Sequence, residues 1–261
     1  MKAVVKYALE DGCTEIRDVP VPEIGPADVL VKVKNIGICG SDPHMHHNNV
    51  SYPVEVPLIL GHEFAGVIDK VGSEVEKFKT GDRVTAETHA EYCGKCVLCR
   101  TNKYHLCKDR KGYGFGVDGA YAKYVKVPAR ILHLVPENVS LKEASLTEPL
   151  CVAYNLVVKN MSVAPGDIVV VIGPGPIGIL SAKMAKISGA SEVIVIGTKG
   201  DEKRLEKAKE YGAAKIFNNA EEDPLPYIKE KNEGYGADVV IGAAGPAVTL
   251  KQAIEVVRPA G

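Results

Sequence analysis

A chain of 261 residues is long enough to bury a sizeable core and to divide into two domains. Its 32 basic and 33 acidic residues leave a formal net charge of −1, which gives no electrostatic footprint for nucleic acid or for an acidic membrane surface. The longest uncharged run, residues 168–182, is broken by Gly173, Pro174, Gly175, Pro176 and Gly178, and the N-terminus MKAVVKYALEDG has no apolar signal core, so a soluble, cytoplasmic protein with small-molecule partners is expected.

Up to about residue 150, short β-branched runs are cut by Gly, Pro and Asp, and strands are predicted at 3–7, 29–33, 65–71, 83–86 and 120–127. This spacing reads as a largely antiparallel β domain. Within it, Cys39-Gly40-Ser41-Asp42 and Gly61-His62-Glu63 lie far apart in sequence, and each offers a metal ligand at a turn or strand end. A lone Cys or His is usually a packing or surface residue; three protein ligands with one open position are what catalytic zinc requires.

Next come Cys93, Cys96, Cys99 and Cys107, spaced C-x2-C-x2-C-x7-C. Thiolates this close in sequence can converge on one tetrahedral ion, and a closed four-sulfur shell is the structural zinc arrangement. Disulfides would need an oxidising compartment. The bacterial iron–sulfur run ends C-x3-C-P, whereas here seven residues intervene and Lys108 follows Cys107. Cys13 and Cys151 remain and are read as packed thiols.

After residues 163–167 the texture changes to apolar strands, predicted at 168–172, 193–196, 215–217 and 239–241, alternating with helical stretches that include 203–211. This is the alternation of a doubly wound parallel sheet, so the fold class is α/β with a β-rich first domain. Gly173-Pro174-Gly175-Pro176-Ile177-Gly178 fits G-x-G-x-x-G directly after a strand and before a helix, which points to a dinucleotide pyrophosphate on the helix N-terminus. At the end of the second strand stand Gly197, Thr198 and Lys199, with no carboxylate among them. Lys199 and Arg204 facing a 2′-phosphate favour NADP over NAD; the alternative leaves both as solvated charges at a helix start capped by Asp201. Only four strands can be counted where two complete halves would have six, so a fragment or truncated form is expected.

The pattern Gly61-His62-Glu63-x2-Gly66-x5-Gly72-x2-Val75 resembles the zinc-site signature of the zinc-dependent medium-chain alcohol and polyol dehydrogenases. The run 39–44, the four-cysteine stretch and the glycine-rich loop follow in that family's order. The resemblance implies a GroES-like catalytic domain over 1–152 and an incomplete Rossmann domain over 153–261. Glu148-Pro149-Leu150 is similar to the segment by which sorbitol and threonine dehydrogenases replace a cysteine ligand, which implies Cys39, His62 and Glu148 as catalytic zinc ligands and Glu63 as an alternate or exchanging one. Asp42 is then expected to hold the His62 ring, Ser41 and His44 to relay the alcohol proton, and Phe115 to line the pocket or the core. Two zincs per chain are implied, one catalytic and one structural.

The implied chemistry is zinc acting as a Lewis acid on a secondary alcohol, a sugar alcohol or related polyol, with hydride passing to the nicotinamide. L-threonine 3-dehydrogenase is the neighbouring alternative, and a truncated, non-catalytic zinc-binding homologue is the rival from another class. The full-length form is expected to be a homo-oligomer, a dimer or tetramer.

Overall fold

The strands of the computed structural model, which describes residues 1–261, fall into two units, Met1–Glu148 and Pro149–Gly261. The division lies four residues before the 152/153 boundary read from the sequence.

The first unit contains β1 (Lys2–Lys6), β2 (Thr14–Asp18), β3 (Asp28–Ile36), β4 (Leu58–Ile59), β5 (Phe64–Val71), β6 (Arg83–Ala86), β7 (His89–Glu91), β8 (Lys111–Gly112), β9 (Tyr124–Pro128) and β10 (Leu132–Leu134). Its short helices are α1 (Ser41–His46), α2 (Val97–Arg100) and α3 (Leu141–Ala144), and α4 (Thr147–Tyr154) begins at its end. Five strands form an antiparallel sheet in the order β10-β6-β5-β3-β9. Val29 and Val31 of β3 enter the core with Phe64, Ile68, Val84, Val125 and Val127, as period-two alternation requires.

One strand expectation needs correction, and five strands have no counterpart among those predicted. The run expected at 120–127 pairs as a strand only from Tyr124, because Gly119, Ala120 and Tyr121 donate their N–H groups to Ile59, Gly61 and Leu60. Strands β2, β4, β7, β8 and β10 went unread; β2 is largely exposed and has no apolar alternation to announce it.

The second unit holds β11 (Ile168–Ile172), β12 (Glu192–Gly197), β13 (Lys215–Asn218) and β14 (Val239–Gly242), with α5 (Pro176–Ile187), α6 (Glu202–Glu210), α7 (Leu225–Lys231) and α8 (Ala247–Val256). All four strands are parallel in the order β13-β12-β11-β14. Val169, Val171, Val193 and Val195 face one side with Ala182, Ala185 and Leu205; Ile168, Val170, Ile172, Ile194 and Ile196 face the other with Ile228 and Val256. Strands buried on both faces explain the unbroken apolar runs, and each fully buried Val or Ile contributes about 1.5–3 kcal/mol. No helix is long and apolar enough to cross a membrane.

Candidate metal centres and cofactor cradle

Strands β3 and β5 are antiparallel neighbours whose last pair is Ile36 with Phe64. The segment 37–39 therefore leaves β3 beside the segment 61–63 that enters β5, and the Gly37 N–H donates to the Glu63 carbonyl at 2.7 Å. Two segments distant in sequence are thereby brought to one sheet end. The ligand atoms of Cys39, His62 and Glu63 lie within 4.8 Å of one another. Glu148, in the first turn of α4, lies outside that group but acts on His62 and Glu63 through its charge.

The electrostatics are those of a site built for a cation. Burial disfavours the charged His62 ring, yet contact with Cys39 and the charges of Asp42 and Glu148 raise its pKa to about 9. Burial likewise raises Glu63 and Glu148, with the His62 charge opposing in both. A thiol, an imidazole and a carboxylate form a donor set that suits zinc, leaving a fourth position open.

Asp42, expected to hold His62, instead accepts with Oδ2 from the Cys39 N–H at 2.9 Å and from the Tyr121 hydroxyl at 2.7 Å. Its other oxygen, Oδ1, is buried without a partner, and the residue is 6% exposed. Ser41 opens α1 and His44 lies three residues on, exposed. Tyr52, which no sequence motif signals, meets Phe115 edge-on at 5.3 Å; Phe115 in turn meets His89 at 6.4 Å. Phe115 is thus part of a half-exposed aromatic wall with Tyr52 and His89.

The four cysteines converge around a second centre. Their Sγ–Sγ separations are 3.5 Å (Cys96–Cys99), 3.6 Å (Cys93–Cys107) and 3.9 Å (Cys93–Cys99 and Cys96–Cys107). Tetrahedral bonds of about 2.3 Å to one zinc set sulfurs roughly 3.8 Å apart, whereas a disulfide needs about 2.0 Å. Backbone N–H groups of Lys95 and Cys96 lower the Cys93 thiol to about 6, whereas burial raises that of Cys99 to about 12, so Cys93 is the readier of the two to become a thiolate. Cys151, expected as a packed thiol, is exposed, because α4 buries Pro149 and Ala153 and position 151 falls between them on the other side.

In the second unit the glycine motif joins β11 to α5. Gly173 has φ +102°, and a Cβ there would lie 2.8 Å from Ala244. A Cβ on Gly178 would come within 1.9 Å of the Gly173 carbonyl, while Gly175 faces open space and caps α5 without a side-chain bond. Pro176, which has no N–H, opens the helix, and the N–H groups of Ile177 and Gly178 that follow it remain available to an anion. Beyond β12, the Asp201 carboxylate accepts from the Thr198 N–H at 3.1 Å and from Arg204 at 3.2 Å. Asp201 stands at the N-cap of α6 but bonds no helical N–H with its side chain, and Lys199 is exposed.

Residues 25–137 match the family model described as alcohol dehydrogenase GroES-like domain, and residues 176–261 match that of zinc-binding dehydrogenase. The chain belongs to the zinc-dependent alcohol and polyol dehydrogenases. This dehydrogenase is 43% identical over 261 residues to a sorbitol dehydrogenase of Halalkalibacterium halodurans, covering 100% of this chain and 75% of that protein. It is 38% identical over 263 residues to an L-threonine 3-dehydrogenase of Caldanaerobacter subterraneus, covering 100% and 74%. Among solved structures, a zinc-binding dehydrogenase from Sinorhizobium meliloti bound to NADP matches with TM-score 0.91 and 33% identity, covering 100% of this chain and 74% of that one. The β-rich unit of the dehydrogenase is accordingly GroES-like and its parallel sheet is of the Rossmann type. Zinc and a nicotinamide cofactor belong to its chemistry.

Proposed function

We propose that this dehydrogenase oxidises a secondary alcohol of the polyol class, with residues 1–152 as the zinc-binding catalytic part and 153–261 as the nucleotide-binding part. The observation that carries the reading is the gathering of Cys39, His62 and Glu63 within 4.8 Å at the shared end of β3 and β5. These residues, with Glu148 as the exchanging carboxylate, would hold a catalytic zinc; Cys93, Cys96, Cys99 and Cys107 would hold a structural one. When bound, the catalytic zinc supplies Lewis acidity to a substrate hydroxyl and the nicotinamide accepts hydride. Ser41 Oγ accepts the alcohol proton as its own hydroxyl proton passes on toward exposed His44, one turn further along α1, whose ring nitrogen takes it up and releases it to solvent. Two carboxylates beside one thiol suit an oxygen-rich substrate, since a carboxylate can yield its place to a polyol hydroxyl.

Gly173, Gly175, Pro176, Ile177 and Gly178 would cradle the pyrophosphate, and Thr198, Lys199 and Arg204 would meet the adenosine ribose. Lys199, with no ion pair, and Arg204 support NADP over NAD, although Asp201 offsets part of the Arg204 charge. The relatives named for sorbitol support a polyol, and the protein is proposed to be a homo-oligomer.

Zinc content measured alongside NADP and NAD reduction over sorbitol, xylitol, 2,3-butanediol and L-threonine tests this. Two zincs per chain and turnover that is fastest with a polyol and NADP are expected. One zinc and no turnover with any alcohol would sink the reading and favour a non-catalytic zinc-binding protein; faster oxidation of threonine would move the substrate to the amino acid.

A further inference from the structure

Tyr121 lies between the two chain segments that carry the gathered ligands. Its N–H donates to the Leu60 carbonyl at 2.9 Å, and the preceding residue, Ala120, donates to the Gly61 carbonyl at 2.9 Å. Gly61 has φ +90°, and a Cβ there would fall 2.8 Å from Cγ of the Tyr121 ring, so the ring is seated against the backbone immediately before His62. At its far end the phenol oxygen stands 2.7 Å from Asp42 Oδ2 and 3.0 Å from the Gly37 carbonyl. A phenol has one proton to give, and the carboxylate is the stronger acceptor. The same Oδ2 receives the Cys39 N–H. One side chain, 79 positions along the sequence from Asp42, thus links 37–42 to 60–63.

The ring and the hydroxyl do separate things. Packing on Gly61 needs only the ring, which phenylalanine would supply. Only the hydroxyl reaches Asp42, and without it Oδ2 keeps a single donor while Oδ1 already has none.

We propose that Tyr121 is a positioning residue of the Cys39–His62 metal site, its hydroxyl orienting Asp42 and through it the Cys39 backbone, while its ring fixes the approach to His62. The inference rests on the catalytic-metal reading above. Groups that orient metal ligands in this indirect way cost about 10–100-fold in metal affinity when removed.

The test is Tyr121→Phe in the zinc-loaded chain, with metal retention measured by chelator competition and with the visible spectrum of the cobalt-substituted protein. Expected is a 10–100-fold weaker hold on one metal and a shifted cobalt–thiolate band, with the four-cysteine metal unchanged as internal control. Replacement by 4-aminophenylalanine, which restores a donor at that place, should recover most of the affinity, and Tyr124→Phe should change nothing. The combined Tyr121→Phe, Asp42→Asn chain should lose no more than Asp42→Asn alone, since both act through one linkage. Unchanged affinity and spectrum in Tyr121→Phe would overturn the proposal. If Tyr121→Phe also loses the four-cysteine metal, misfolding is the cause and the decision passes to Asp42→Asn: tenfold weaker binding supports the linkage and unchanged binding overturns it. A wild-type chain that binds only the four-cysteine metal would instead refute the catalytic-metal reading, and this inference with it.

Discussion

At Gly37 the lack of a side chain makes room for a ligand: a Cβ there would fall 2.2 Å from Glu63 Oε2. No motif signals this glycine, because its constraint comes from a residue in the segment that leads into the neighbouring strand. The opposite case is Ser140 and Glu143, which can be read locally. Ser140 Oγ accepts the Glu143 N–H at 3.2 Å, and Glu143 Oε2 accepts from the Ser140 N–H at 2.8 Å and from its hydroxyl at 2.6 Å, closing a capping box on α3. These bonds from Ser140 hold the Glu143 carboxyl below its ordinary 4.5. A depressed folded value means the stabilisation is fully present above the unfolded value and is lost as pH falls through the folded one. Glu143→Gln should therefore melt below the wild type at pH 7, with the gap closing as pH falls below about 4; a gap constant with pH in thermal melts would contradict the capping role.

The antiparallel pairing of β3 with β5 does most to build the metal site. The sequence announced both strands, but the prediction for β3 stopped at Val33; the strand continues to Ile36 through a register shift, and that extension brings Cys39 level with His62. The choice between Glu63 and Glu148 was open in the sequence for the same reason, since a ligand's reach depends on where a strand ends. The glycine loop was more legible because strand, turn and helix are contiguous. Its third glycine makes a sharp prediction. A methyl group at Gly178 must displace the Gly173 carbonyl, so Gly178→Ala should weaken NADPH binding at least tenfold and cost about 1–3 kcal/mol of stability, read by fluorescence titration and denaturant melts. Full binding in that variant would mean that the loop tolerates a Cβ and that the cradle is misassigned.

Each of the two units has its own core, and every candidate metal ligand, from Cys39 to Glu148, lies within Met1–Glu148. Damage to the second core should therefore spare the metals. Phe217 is 1% exposed among Ile194, Ile196 and Ile228 and meets Tyr227 edge-on at 5.5 Å. Phe217→Ala should destabilise the second unit by about 3–5 kcal/mol while zinc content stays at the wild-type level; loss of zinc in the same variant would show that the two units do not hold their sites independently. What the sequence determined by itself was everything carried by contiguous spacing: the four-cysteine cluster, the glycine loop, the apolar strands of the parallel sheet and, through the order of these motifs, the family. Only the tertiary structure decided that Glu63 joins Cys39 and His62, that Asp42 turns to Tyr121 and that Arg204 is shared with Asp201. Those outcomes depend on strand register and side-chain reach between elements, and no local pattern of residues encodes a distance across a sheet.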